Sequence, residues 1–506
     1  MANNNESIHG SWRNRWTFIL AATGSAVGLG NIWKFPYITG EYGGGAFVLV
    51  YLMCIALVGI PVMMAEVAMG RRGRQSPINS MKALVSEAKA GPGWKLIGWM
   101  GALAGFLILS FYSVVAGWSL SYVLKMATGV FTEVDQTVAG DQFNGLLADP
   151  SMLMVWHTIF MILTVGVVIR GVNKGIESTI TVLMPLLFVL LVILIGYGAS
   201  KGDIMSAVDF MFAADFSKLS MEAVLVALGH SFFTLSLGMG AIMAYGSYMP
   251  RNASIASTVF TVAGLDTLVA LLAGLAIFPI VFANGLEPSA GPGLMFVTLP
   301  FTFGQMPGGQ FFGALFFILV AFAAWSSAIS LIEPATAWAV ERFKVSRAKA
   351  CTLIGVIIWA LGIGSVLSFN DWSEFHLLPG KTIFDTFDFM TANVMLPLGG
   401  LLIALFVGFG MKYHHAYNEM NMKNAGLFNL WYIVLRFVTP VAIAIVFING
   451  LLPECSFNAE LLNAETGECG NSVFMTPRFI GGVILAVTYI GIIVKSLQKP
   501  SRGLSS

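Results

Sequence analysis

Apolar positions along this chain fall in long runs, not in the narrow stripes of a soluble helix. A membrane-spanning helix needs about 20 mostly apolar residues. On that measure the pattern predicts twelve spans, at about 15–37, 44–70, 96–125, 152–169, 177–199, 222–247, 256–283, 310–341, 350–368, 383–411, 429–452 and 476–496. The expected class is an all-α polytopic membrane protein. Two of these runs are interrupted by polar and glycine residues. The first holds Gly24-Ser25-Ala26-Val27-Gly28-Leu29-Gly30-Asn31, the sixth Phe232-Phe233-Thr234-Leu235-Ser236-Leu237-Gly238-Met239-Gly240. In lipid a broken helix survives only where its freed N–H and C=O groups are buried in protein or line a cavity. Such a break at mid-membrane depth is a site for cations and zwitterions.

One Gly-x-Gly is explained well enough by close helix packing. Two, five spans apart and each beside hydroxyl or amide side chains, are not. Helices five spans apart run in opposite directions, so the pair marks an inverted repeat of the kind secondary transporters use. The chain then reads as one transport domain over 1–506, with repeat one at about 15–199, repeat two at about 222–411 and extra helices at about 429–496.

Composition agrees: 57% of residues are hydrophobic and 10% charged, and the net charge of +1 gives no reason to expect a nucleic-acid partner. Where the charges lie matters more. Basic residues follow the second, fourth and eighth spans (Arg71, Arg72 and Arg74; Arg170 and Lys174; Arg342, Lys344, Arg347 and Lys349) and flank both ends of the chain. The alternate loops are acidic, with Glu133, Asp135, Asp141 and Asp149, then Glu460, Glu465 and Glu468. Positive loops stay inside, so both termini should be cytoplasmic, in a bacterial inner membrane. Cys54 and Cys351 lie in apolar runs and read as small buried hydrophobes. Cys455 and Cys469 share an outer loop, where a disulfide is permitted.

The polar residues inside the spans carry the candidate chemistry. Sodium is a hard cation that takes several oxygens. Asn31, Thr234, Asp266 and the pair Ser326 and Ser327 stand in apolar surroundings. An intramembrane carboxylate costs at least about 2.5 kcal/mol and marks an ion or proton site by default. A serine pair alone more often bonds its own preceding turn. No H-E-x-x-H, nucleotide loop or well-placed G-x-S-x-G supports an enzyme. A channel would need a ring of pore groups. His414 and His415 lack partners at ligand spacing.

At these residues the chain resembles the neurotransmitter:sodium symporters, above all the bacterial leucine and hydrophobic amino-acid transporters. The resemblance runs nearly the full length. It rests on A-V-G-L-G-N-I-W-K-F-P at 26–36, Tyr42-Gly43-Gly44-Gly45-Ala46-Phe47, G-I-P-x-x-x-x-E at 59–66, F-F-T-L-S-L-G-x-G at 232–240, G-P-G-L-x-F-x-T-L-P at 291–300 and S-S-A-I-S at 326–330. It implies sodium-coupled symport by alternating access. The first sodium site falls on Ala26, Asn31, Thr234 and Asp266, completed by the substrate carboxylate. The second falls on Gly24, Val27, Ala323, Ser326 and Ser327. The substrate pocket falls on Ser25, Ala26, Leu29, Gly30, Ile108, Tyr112, Phe233, Thr234, Ser236, Met239, Ser327 and Leu331. With no charged side chain and the adaptable Met239, that pocket implies neutral hydrophobic L-amino acids, extending to aromatic ones. Another small amino acid or derivative, or a non-transporting amino-acid sensor, is the alternative.

Departures from the family pattern are informative. Asp266 stands where relatives carry Asn, while the acid that chloride-independent relatives place one turn later is Ala270 here. Chloride-dependent members build an anion site at the positions of Tyr51, His230, Thr234, Asp266 and Ala270. A fixed carboxylate at 266 makes chloride independence the expectation. Protonation of Asp266 or His230 on the return of the empty carrier is a further hypothesis. The resemblance places an outer gate at Lys34 and Asp388, where Lys lacks the planar fork of the usual Arg. It places an inner gate at His9, Trp12 and Glu341, with Arg13 as the competing cation. An imidazole there would strengthen the gate when protonated. Glu66 is expected to support the unwound region without touching an ion.

Overall fold

The computed structural model describes residues 9–286 and 293–451, with the short pairs 462–463 and 468–469. The expected twelfth span at 476–496 and Cys455 of the anticipated disulfide lie outside the described residues.

Each span begins where local chemistry permits. Asn14 caps the first: its side chain accepts from Thr17 N at 3.0 Å, and Thr17 Oγ1 accepts from Asn14 N at 3.3 Å, a reciprocal box that satisfies two otherwise orphaned donors. The span then runs Arg15–Ala26, breaks, and resumes through a π turn into Phe35–Glu41. The second to fifth spans are Gly45–Gly73, Pro92–Ala127, Pro150–Val168 and Val172–Lys201. The sixth is split into Met221–Thr234 and Ala241–Ser247. The seventh to eleventh are Ile255–Ala283, Gly309–Phe343, Arg347–Leu367, Ile383–Gly410 and Ala425–Ile448. Asp149, Ser254 and Ser346 cap the fourth, seventh and ninth spans. The expected span order therefore holds through the eleventh.

Five shorter helices lie in segments read from the sequence only as connections: Pro77–Ala88, Gln136–Leu147, Ile204–Phe212, Leu294–Gln305 and Tyr413–Met420. They are too short to cross a bilayer, so a search for apolar runs of spanning length passes over them.

The third and eighth spans make the most extensive contact in the fold and form its spine. The two broken spans lie against that spine. The fourth, fifth and ninth present broad apolar outer faces, including Ile162, Val182, Val192 and Leu353. Among the described residues nothing covers these faces, and apolar faces of this kind suit contact with lipid.

Candidate functional site

The first break arises at Val27, which leaves helical geometry (φ −68, ψ 108). Side chains from three other spans take up the freed groups. Ser25 O accepts from Ser236 Oγ at 2.7 Å and from Ser327 Oγ at 3.1 Å. Val27 O accepts from Ser327 Oγ at 3.2 Å and Ser326 Oγ at 3.4 Å. Gly28 N donates to Asn31 Oδ1 at 3.0 Å, and Leu29 N lies 3.4 Å from the Tyr112 hydroxyl. Gly28 is required by space: a Cβ there would stand 2.5 Å from Ser327 Oγ.

The second break is a tight turn over 235–240, with Ser236 at φ +55 and Gly238 at φ +76. At Gly238 a side chain would meet both a left-handed backbone and Leu396 O at 2.7 Å. Glu66, fully buried, holds this turn by accepting from Gly238 N at 3.1 Å. It contacts neither Asp266 nor the expected sodium ligands through any hydrogen bond, which is the supporting position anticipated for it.

Asp266 lies between the two breaks. Asn31 Nδ2 donates to its Oδ1 at 2.8 Å and to its backbone carbonyl at 3.1 Å. Thr234 Oγ1 lies 3.2 and 3.1 Å from the two carboxylate oxygens. All three residues are buried. Among the described residues no Lys, Arg or His forms an ion pair with Asp266. A lone carboxylate in an apolar surround is stable only when a proton or a cation shares the site. The oxygens offered by carboxylate, amide, hydroxyl and carbonyl groups suit a hard monovalent cation.

On the far side of the first break, Ser326 Oγ lies 3.0 Å from Ala323 O. With Val27 O, Ser327 Oγ and the adjoining Gly24, this forms a second cluster of oxygens. A Cβ at Gly24 would touch Ser326 Cβ at 3.4 Å, so the two helices meet there.

Between the clusters lies one cavity. Ser25, Ala26, Leu29, Gly30, Ile108, Tyr112, Phe233, Ser236, Met239, Ser327 and Leu331 line it, and Gly28 joins them. Of the residues expected there, Thr234 alone is outside the lining, because its hydroxyl turns to Asp266. The cavity wall has no ionisable group apart from the Tyr112 phenol. Sequence reasoning missed Gly28 as a lining residue and Ser330, whose hydroxyl accepts from Ser25 Oγ at 2.7 Å.

His230 is buried between the rings of Phe35 and Tyr51, with centroids at 6.1 and 5.6 Å. Neither of its ring nitrogens has a hydrogen-bond partner among the described residues.

The residues expected at the inner gate meet. His9 Nε2 lies 3.0 Å from Glu341 Oε1. Trp12 is buried at 1% exposure, with its indole donating to Tyr245 O at 3.0 Å. Ser76 N and Asn79 Nδ2 also donate to Glu341, each at 2.6 Å, and Ser76 Oγ donates to Glu341 Oε2. Those two residues were not foreseen. Arg13, the competing cation, points elsewhere: its side chain is 69% exposed and lies 3.5 Å from Glu177. The residues expected at an outer gate, Lys34 and Asp388, make no contact ion pair, and the Lys34 ammonium sits 5.5 Å from the Phe233 ring centroid. The rings of His414 and His415 meet edge to face with centroids 4.2 Å apart, and among the described residues no group of three His, Cys, Asp or Glu side chains is placed to hold a metal.

Two opposed broken helices around a shared cavity, each supplying backbone carbonyls and hydroxyls, define a secondary transporter with an inverted repeat. The model of the sodium:neurotransmitter symporter family matches residues 9–142 and 142–460, and the chain belongs to that family. It is 41% identical over 441 residues to the uncharacterized sodium-dependent transporter YhdH of Bacillus subtilis, covering 87% of this chain and 97% of that protein. It is 32% identical over 458 residues to an uncharacterized sodium-dependent transporter of Haemophilus influenzae, covering 89% and 100%. Among solved structures, the crystal structure of MhsT in complex with L-phenylalanine superposes with a TM-score of 0.80 at 47% identity, covering 87% of this chain and all of that one. The protein is thus a sodium-dependent symporter and not an enzyme.

Proposed function

We propose that this symporter couples sodium to the uptake of neutral hydrophobic L-amino acids, aromatic ones included, by alternating access. The observation that carries this reading is the cavity itself. Its wall is apolar from Ile108 to Met239 and Leu331, with backbone and hydroxyl groups at one end. A substrate carboxylate would take the Leu29 and Gly30 amides and the Tyr112 hydroxyl. The ammonium would take the carbonyls around Ala26, Phe233 and Thr234, with Ser236. An apolar pocket with a few fixed polar groups selects by size and hydrophobicity. The phenylalanine bound in MhsT supports the same class of substrate.

The proposed route of coupling is the carboxylate end. One sodium ion held by Ala26 O, Asn31, Thr234 and Asp266 would also meet the substrate carboxylate, so each ligand raises the affinity of the other. A second would occupy the carbonyls of Gly24, Val27 and Ala323 with Ser326 and Ser327, tying the first break to the eighth span. Asp266 supplies a fixed negative charge beside the first site, so transport needs no chloride. The chain acts as a single transport unit with both termini in the cytoplasm.

The test is binding of tritiated Leu, Phe and Trp to the purified protein in Na⁺ against K⁺, each with chloride or gluconate. Sodium-dependent, chloride-indifferent binding supports the reading. Glycine or GABA outcompeting all three ligands would remove the substrate assignment. A requirement for chloride would remove the role given to Asp266, whereas Asp266→Asn should acquire that requirement. Uptake into proteoliposomes separates a carrier from a sensor.

A further inference from the structure

A second cavity lies far from the first, at the other end of the third span from the inner gate. It occupies about 420 Å³ between the last turns of the third span, the Gln136–Leu147 helix and the start of the fourth span. The third span's helix, Leu96–Ala127, has 32 residues and so extends about 48 Å. This groove and the Glu341 cluster therefore sit near opposite membrane surfaces.

Its chemistry is mixed in an ordered way. Lys125 Nζ donates to Gln142 O at 2.8 Å and to Gln142 Oε1 at 3.2 Å, which leaves one of its three N–H groups for a ligand. Asp141 lines the same groove and has no hydrogen-bond or ion-pair partner among the described residues. Asp149 spends one oxygen on capping the fourth span, at Met152 N, 3.0 Å away. Trp156 brings a buried indole N–H without a partner. The flanks, Leu124 at 54% and Met152 at 44% exposure, are apolar and face outward beside other exposed apolar residues such as Val155. A cation and two carboxylates thus open toward the exposed apolar surface, with the buried indole N–H of Trp156 in the groove wall.

We propose that this groove binds a zwitterionic phospholipid with a primary-ammonium headgroup. Lys125 and the Trp156 indole would take the phosphate. Asp141 and the free oxygen of Asp149 would take the ammonium, and Leu124 and Met152 would receive the first acyl segments. The lipid surface is favoured over a soluble zwitterion because the groove opens beside exposed apolar side chains. The ammonium must carry N–H groups, since carboxylates gain most from charge-assisted hydrogen bonds.

The experiment is native mass spectrometry of the full-length protein, equilibrated in detergent with equal amounts of phosphatidylethanolamine, phosphatidylcholine and phosphatidylglycerol of matched chains. Phosphatidylethanolamine should be retained roughly tenfold or more over the other two, the scale of one hydrogen bond to a charged group lost. Asp141→Asn should lower that preference. Gly145→Leu should remove it, because the Gly145 Cβ direction is open and the new side chain fills the groove without a backbone clash. Both variants should keep sodium-dependent uptake, which shows that they fold. Equal retention of the three lipids, a preference for phosphatidylglycerol, or a preference that survives both variants would overturn the proposal. So would displacement of the lipid by millimolar free phenylalanine, which would identify a soluble zwitterion as the occupant.

Discussion

The clusters at the two gate positions flank one cavity but are built in different ways. At the inner position Glu341 gathers four donors, from His9, both groups of Ser76, and Asn79, beside a Trp12 that is almost fully buried. At the outer position Lys34 and Asp388 are opposite charges without contact, and Lys34 rests over the Phe233 ring. A carboxylate with several charge-assisted hydrogen bonds fixes the positions of its neighbours. Separated charges attract over distance but hold no geometry. Under the proposed function, opening the Glu341 side must break these contacts, whereas the Lys34 side is held only by packing beside the cavity.

Both clusters flank the buried Asp266 centre, so the largest effect is expected there. Asp266→Ala removes the carboxylate that Asn31 Nδ2 and Thr234 Oγ1 meet, leaves the Asn31 amide only the backbone carbonyl of residue 266, and removes the buried charge. Sodium-dependent substrate binding should fall by about 100-fold or more, since each hydrogen bond to a charged group is worth about 1.5–3 kcal/mol. Equilibrium binding across a sodium titration measures this. Retained sodium dependence would move the coupling site elsewhere.

Glu341→Ala should have the next largest effect. Removing the shared acceptor orphans several donors at once, at a cost of about 2–3 kcal/mol to the closed inner side. Labelling of a cysteine placed at Ser247, buried on the inner half of the sixth span, should speed up by about tenfold or more in a cysteine-free background. His9→Ala deletes one donor of four, so its labelling should rise by only about threefold to fivefold. If His9→Ala equals Glu341→Ala, the inner gate is a simple ion pair and the network carries nothing.

How far the site could be read in advance follows the same physics. Asp266, Asn31 and Thr234 were legible because a polar side chain inside an apolar run stands out. The pocket was legible through motif resemblance, and the cavity gathers nearly all of those residues. Ser76 and Asn79 were not, because polar residues in a connecting segment show no contrast with their surroundings. Ser330 was hidden for another reason. A helical serine usually bonds its own turn, and Ser330 Oγ does donate to Ser327 O at 2.7 Å while also accepting from Ser25. The choice between His9 and Arg13 at Glu341 depends on how the chain enters the first span. That is set by Trp12, whose backbone N–H donates to Tyr248 O at 3.0 Å and whose indole donates to Tyr245 O.

The smallest effect should come from the outer charges. Asp388→Asn breaks no contact ion pair, so it should change apparent substrate affinity by about threefold or less, the range of a weak, solvent-screened charge interaction. Lys34→Arg sharpens the point. A guanidinium reaches further and presents a planar fork, so it should form the contact that the ammonium lacks. It should then slow substrate dissociation on the outer side while leaving Ser247 labelling unchanged. The double variant Lys34→Arg with Asp388→Asn should lose that slowing, which assigns it to the new pair and not to packing against Phe233. If Asp388→Asn alone impairs binding as strongly as Glu341→Ala speeds labelling, the two gates are equivalent and the asymmetry drawn from their contacts is wrong.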